Sequence, residues 1–291
     1  MRTVFMRYPG GKPKAVTFSY DDGVTQDERL ALLFDKYGLK GTFNLNCERT
    51  RAHNYTPEQL RRIYLEKGHE IAIHGAYHRP NGSLRPIEGI REILDCRLEL
   101  EARTGKIIRG LAYADTGISK LSSVTTYEKI KSYLTELDIA YARALGKDND
   151  DFTLPADFHA WYPSVHSRSP KLIECVDNFL AIDISRSVYH AVRYPRLLYI
   201  WGHSYEFDKD NSWNTMEDVC RKLSGKEDVW YATNIEIYDY VEAYNRLIYS
   251  ADGYKAYNPT LITVWLDVDG ELYSIAPGET VTFAERDLSY K

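Results

Sequence analysis

Short apolar runs alternate with amphipathic ones along most of this chain, and that alternation restricts the fold more than any other feature. Residues 15–18 are β-formers of little polarity. A helical stretch follows, with Thr25 and Glu28 spaced as a capping box, Leu30, Leu33 and Phe34 on one face, and Gly38 at its end. Residues 41–45 read as a second strand, and Thr56 and Pro57 as the N-cap and first position of a helix that Gly68 ends. Residues 70–73 are strand-like. The pattern then repeats: a helix over 87–103 stopped by Gly105, a strand over 107–113, a helix over 127–137 and a strand over 139–143. Further on come a helix over 171–179, a strand over 196–201, a helix over 215–223, a strand over 229–232 and a helix over 235–248. Strands joined through helices run parallel, so about seven βα units predict an α/β fold, an irregular (β/α)7-type barrel over residues 1–252.

After Gly253 the pattern changes. Residues 261–268, 271–275 and 280–283 read as strands, with Asp269-Gly270 as a hairpin turn. Residues 253–291 are therefore expected to form a small C-terminal antiparallel β appendage. Residues 148–169 are irregular and rich in Asp, Pro and His, and Phe158, Trp161 and Tyr162 among them argue for an ordered, functional loop.

Charge and composition exclude several classes. A net charge of −5 without a basic tract argues against nucleic acid or an anionic membrane as partner. No run approaches the roughly 20 apolar residues of a membrane span. The first 13 residues carry no apolar signal core, so a cytoplasmic location is expected. Cys47, Cys96, Cys175 and Cys220 form no CxxC pair and read as buried reduced thiols. The 24 tyrosines offer flat apolar faces with a polar tip, which suits sugars. No oligomeric state is read from the sequence.

The polar residues that stand out share one position. Asp21-Asp22, His74 with His78, Arg143 and His203 each lie just beyond the C-terminal end of a strand, where parallel βα folds place their sites. Two adjacent carboxylates on a buried strand are costly unless a cation offsets their charge. They could instead cap the next helix at a simple strand-end turn. His74 and His78 are one helical turn apart, and two imidazoles with one carboxylate make a three-ligand site with a position left open. The two motifs together favour a metal over the turn.

These residues resemble the polysaccharide deacetylases of carbohydrate esterase family 4, the NodB-homology proteins. The family's Thr-Phe-Asp-Asp-Gly appears as Ser19-Tyr20-Asp21-Asp22-Gly23, and its His-Ser/Thr-x-x-His as His74-Gly75-Ala76-Tyr77-His78. The late leucine-and-histidine motif resembles Leu198-Tyr199-Ile200-Trp201-Gly202-His203. The resemblance implies a NodB-like barrel and a metal-dependent hydrolase that removes N-acetyl groups from an amino sugar or a longer saccharide. It implies Asp21 as general base, Asp22, His74 and His78 as metal ligands, and His203 as general acid. The implied cofactor is one divalent metal: zinc first, with cobalt, nickel or iron as alternatives. Two other readings are hydrolysis of another non-peptide C–N bond, and a carbohydrate-binding relative without catalysis. Retention of both Asp21 and His203 argues against the latter.

Three departures matter. The family's third motif often reads Arg-x-Pro-Tyr-Gly, yet residues 111–117 here contain neither the arginine nor the proline, and Tyr113 is the supporting residue in that stretch. Arg109 should face away by strand parity. Arg143, ending the next strand, is the candidate cation for a bidentate contact with Asp21; a surface charge is the competing reading. Gly75 replaces the Ser/Thr hydroxyl that could brace the histidine loop. Residues 157–166 resemble the family's fourth motif, so Asp157, His159 and Trp161 are candidates to flank His203. His53, His69, His166 and His190 read as structural or exposed.

Overall fold

The structure, a computed structural model, describes residues 2–47, 55–184 and 193–284; the reading of His53 and His190 lies outside them. The chain runs β1 (Val4–Arg7), β2 (Lys14–Asp21), α1 (Gln26–Lys36), β3 (Thr42–Leu45), α2 (Pro57–Ile63), β4 (Glu70–Ile73), α3 (Pro86–Thr104), β5 (Gly110–Ala112), α4 (Tyr127–Glu136) and β6 (Tyr141–Arg143). There follow β7 (Val165–His166), α5 (Leu172–Ala181), β8 (Arg196–Gly202), α6 (Tyr205–Lys209), α7 (Trp213–Leu223), β9 (Val229–Tyr231) and α8 (Asn234–Asn245). Five short strands complete it: β10 (Ile248–Tyr249), β11 (Lys255–Tyr257), β12 (Val264–Val268), β13 (Glu271–Ile275) and β14 (Thr280–Thr282).

The central sheet has the order β6-β5-β4-β3-β2-β8-β7, with β9 beside the first half of β2, and its pairings are parallel. It is curled. Residues 161–164 link its edges: Ala144 N donates to Trp161 O at 2.9 Å, Trp161 N to Ala142 O at 3.0 Å, and Ser164 N to Tyr199 O at 2.7 Å. Parallel strands put all their C-terminal ends on one rim, which is why one face collects the polar outliers. The (β/α)7-type fold expected from the alternation is the fold observed.

Side-chain parity sorts the layers. Along β2, Val16, Phe18 and Tyr20 point outward and pack with Leu30, Phe34 and Phe43 under the helices. Thr17, Ser19 and Asp21 point inward. The interior therefore carries polar groups beside a cluster of Tyr141, Trp161 and Tyr199, and those polar groups bond to one another. Thr17 Oγ1 meets Asn234 Oδ1 at 2.8 Å, Asn234 N donates to Thr42 Oγ1 at 2.9 Å, and Tyr141 OH donates to Glu70 Oε1 at 2.7 Å. These partners sit at or near strand starts, so the N-terminus of α8 plugs the end opposite the rim.

Local signals succeed where backbone geometry enforces them. Thr56 and Gln59 make a reciprocal capping box at α2, with Pro57 at its first position. Gly105, at φ +66°, ends α3. The box read at Thr25 does not form: Thr25 is already helical, and its hydroxyl turns to Gln26. Helix α8 stops at Asn245, and Ile248-Tyr249 pairs with β11.

The late strands form two antiparallel sheets, β10-β11-β14 and β1-β12-β13. Asp269 and Gly270 both have positive φ, the conformation a tight hairpin needs between β12 and β13. Strand β1, unanticipated from the sequence, pairs with β12 some 260 residues away, and Arg7 donates to Asp267 at 2.7 Å. Among the described residues no helix is long and apolar enough to cross a membrane.

Candidate active site

At the rim, β2 delivers Asp21 and Asp22 to one place by different means. Asp21 follows the strand's inward parity, and its side chain is buried. Parity would send Asp22 outward. Its φ of +83° turns the chain, and Asp22 N bonds Asn44 O at 3.0 Å to hold that turn. Asn46 Nδ2 then donates to Asp22 Oδ1 at 3.1 Å. Both oxygens of Asp21 are held: Asn44 Nδ2 donates to Oδ1 at 2.8 Å and Arg143 Nη2 to Oδ2 at 2.5 Å. Burial pushes the Asp21 carboxyl up, but Arg143 with His74 and His203 outweighs it and holds the group at about 2.

His74 follows β4 and is buried. Its Nδ1 lies 2.9 Å from Ala112 O, which can only accept, so Nδ1 carries the proton and Nε2 presents a lone pair. Burial, against Asp21 and Asp22, lowers its pKa and favours that neutral ring. His78, at φ +54°, brings its imidazole within 4.8 Å of that of His74, centroid to centroid. Asp22 Oδ1 lies 3.8 Å from His74 Nε2 and 3.6 Å from His78 Nε2. One ligand atom from each of the three falls within 4.8 Å of the others. One carboxylate and two imidazoles, with one tautomer fixed by a backbone carbonyl, fit a divalent ion of the zinc type.

His203 follows β8. Its Nε2 faces Asp21 Oδ2 at 3.9 Å, and its Nδ1 faces Glu206 Oε1 at 3.2 Å. Burial alone would lower its pKa, but Glu206 and Asp21 raise it on balance. His166 stands on the other side of Glu206, 3.5 Å from Oε2. His166, His203 and Glu206 are a second group close enough to share an ion. However, His166 Nδ1 accepts from Arg168 N at 3.0 Å, so in the neutral ring Nε2 carries the proton and faces the carboxylate rather than offering a lone pair. Beneath the rim, Ser204 Oγ donates to Asp27 Oδ1 at 2.5 Å and Tyr64 OH to Oδ2 at 3.1 Å, tying α1 to the His203 loop. Burial pushes the Asp27 carboxyl up to about 7 against those hydroxyls.

Arg143 is fully buried and its guanidinium lies 4.5 Å over the Trp201 ring. Among the described contacts only Nη2 reaches Asp21, so the bidentate fork expected from the sequence is replaced by one charged hydrogen bond plus an aromatic contact. Arg109 turns away and binds Asp239 at 2.7 Å. Tyr113 points outward and donates to His159 O at 3.0 Å. The groups around His203 are Glu206, His166, Trp201 and Tyr205, not the 157–161 candidates. Asp157 binds Tyr127 and Lys131, His159 Nε2 meets Ile139 O at 2.7 Å, and Trp161 packs inside, edge to face, with Tyr141 and Tyr199. The chain over 153–159 descends the barrel wall before β7 returns to the rim, and that descent carries them away. His69 is structural, accepting from Gly41 N at 3.2 Å. Sequence reading missed Asn44, Asn46, Asp27 and Glu206. Only Glu206 had a local signal, three residues after His203 on the next helix.

The polysaccharide deacetylase family model matches residues 8–133, which include Asp21 and the triad of Asp22, His74 and His78. Over that stretch the chain is similar to the polysaccharide deacetylases. Two solved structures are similar overall. A Mycobacterium smegmatis protein described as a polysaccharide deacetylase has a TM-score of 0.58 and 17% identity, covering 84% of this chain and 96% of that one. Puue allantoinase has a TM-score of 0.57 and 13% identity, covering 80% and 91%. At such identities the likeness establishes the fold. Among curated proteins none matches the chain.

Proposed function

We propose that this protein is a metal-dependent N-deacetylase acting on an N-acetylated saccharide. One observation carries the reading: Asp21 Oδ2 lies 3.8 Å from His74 Nε2 and 3.9 Å from His203 Nε2. A base, an acid and a metal-type donor triad thus face one small space. Asp22, His74 and His78 would hold a divalent ion, zinc first among zinc, cobalt, nickel and iron, which supplies a Lewis acid and lowers the pKa of water within its reach. Asp21, kept ionised by Arg143 and fixed by Asn44, takes the proton of the attacking water at Oδ2. His203, oriented through Nδ1 by Glu206, stays protonated and hands its Nε2 proton to the departing nitrogen. The strands after residue 253 serve as an appendage at the barrel's closed end.

The likeness to an allantoinase supports a second reading, hydrolysis of another non-peptide C–N bond on the same machinery. Acetate release from N-acetylated chito-oligosaccharides should be measured on chelator-treated protein before and after zinc is restored. Acetate that depends on zinc is the expected result. Activity on cyclic amides without acetate release favours the second reading, and saccharide binding without turnover overturns both.

A further inference from the structure

The histidine motif departs from its family at Gly75, and the structure gives a physical counterpart. Gly75 has φ +99°, and a Cβ built there would lie 2.8 Å from Glu92 Oε1. Glu92 sits on α3 and is only 1% exposed. A buried carboxylate is costly unless its oxygens are satisfied. Here they are, and every named bond falls on one short segment. Oε1 accepts Tyr77 N at 2.7 Å and Arg79 N at 3.0 Å, and Oε2 accepts Arg79 Nε at 3.0 Å. The Glu92 carbonyl accepts Ala76 N at 2.8 Å.

The two amides gripped by Oε1 bracket His78, whose own backbone sits in the left-handed region at φ +54°. A non-glycine residue keeps that conformation only where its surroundings over-determine it. His74 is oriented through its own ring, by Ala112 O. The His78 ring meets His74 edge-on and lies 3.6 Å from Asp22 Oδ1, but among the described hydrogen bonds none orients it as Ala112 O orients His74, so the loop backbone sets where that imidazole points. We propose that Glu92 is the positioning residue of the metal site: it acts through the Tyr77 and Arg79 amides to hold His78 in ligating geometry, and Gly75 is small because the carboxylate occupies the space a side chain would take. The inference rests on the metal-site reading above. Glu92 coordinates nothing itself.

The test uses Co2+ as probe on the full chain, since its visible absorption reports ligand geometry as well as affinity. Glu92→Ala should weaken Co2+ binding about 10–100-fold, the usual cost of losing an outer support, and should alter the absorption band. Glu92→Gln keeps an acceptor for both amides and should recover most of the affinity. Gly75→Ala should cost more affinity alone than in the Glu92→Ala background, because the steric conflict disappears while the φ strain remains. In metal-free protein, the Tyr77 and Arg79 amides should exchange faster in Glu92→Ala than in wild type. Should Glu92→Ala not fold, Glu92→Gln and Gly75→Ala carry the same comparison. Affinity within twofold of wild type in a folded Glu92→Ala protein, even at a lowered melting temperature, overturns the positioning role alone. Failure of wild type to bind Co2+ overturns the metal site and this inference with it.

Discussion

Replacing Arg143 by Met or by Lys separates the charge on Asp21 from its geometry. Arg143 and Asp21 are 0% and 2% exposed at the side chain, and one hydrogen bond of 2.5 Å joins them. Truncating one partner of a buried pair typically costs about 3–5 kcal/mol, because the other charge is stranded. The Asp21 carboxyl by itself gives a smaller figure. It sits at about 2 against an ordinary 3.8, roughly 2 kcal/mol of stability present above pH 4 and lost as pH falls through about 2. In Arg143→Met, burial is opposed by the two histidines, the Asn44 amide and the metal the site would hold, and the carboxyl rises. A base that must be ionised then loses activity at higher pH, so the acid limb of the kcat profile moves up by at least about one unit. Arg143→Lys keeps the charge but loses the planar contact with Trp201; kcat should fall roughly 10-fold with little shift of that limb. Metal affinity, measured by chelator competition, should change less than kcat in both. An unmoved acid limb in Arg143→Met, or metal affinity falling in step with kcat, would show that Arg143 does not set the charge on Asp21.

Other substitutions separate the remaining roles. Asp21→Asn should reduce turnover about 10²–10⁴-fold yet retain metal, whereas His74→Ala should lose both; metal analysis beside the acetate assay decides, and metal loss in Asp21→Asn means the two aspartates have exchanged jobs. Glu206→Gln removes a group that raises the His203 pKa, so activity should be lost at lower pH on the basic side; an unchanged basic limb means that His203 is not the acid.

Much of this protein is written locally in its sequence. Alternating strand and helix patterns specify a parallel sheet, and a parallel sheet specifies one rim, so Asp21, Asp22, His74, His78, Arg143 and His203 could be placed together from their positions at strand ends. Strand parity could likewise separate Arg143 from Arg109, because inward and outward directions alternate along any strand. Tertiary structure decided what parity cannot reach. Asp22 joins Asp21 only because its backbone adopts φ +83° against Asn44. The partner of His203 is Glu206 rather than Asp157, because residues 153–159 leave the rim, and a loop's path is set by packing rather than by any periodicity. Strand β1 escaped notice because four residues have no pattern of their own until β12 arrives from the far end of the chain. Glu92 was invisible in the same way. A charged residue on an amphipathic helix is by default solvated, and only the close approach of α3 to the Gly75 backbone turns this one into a buried acceptor.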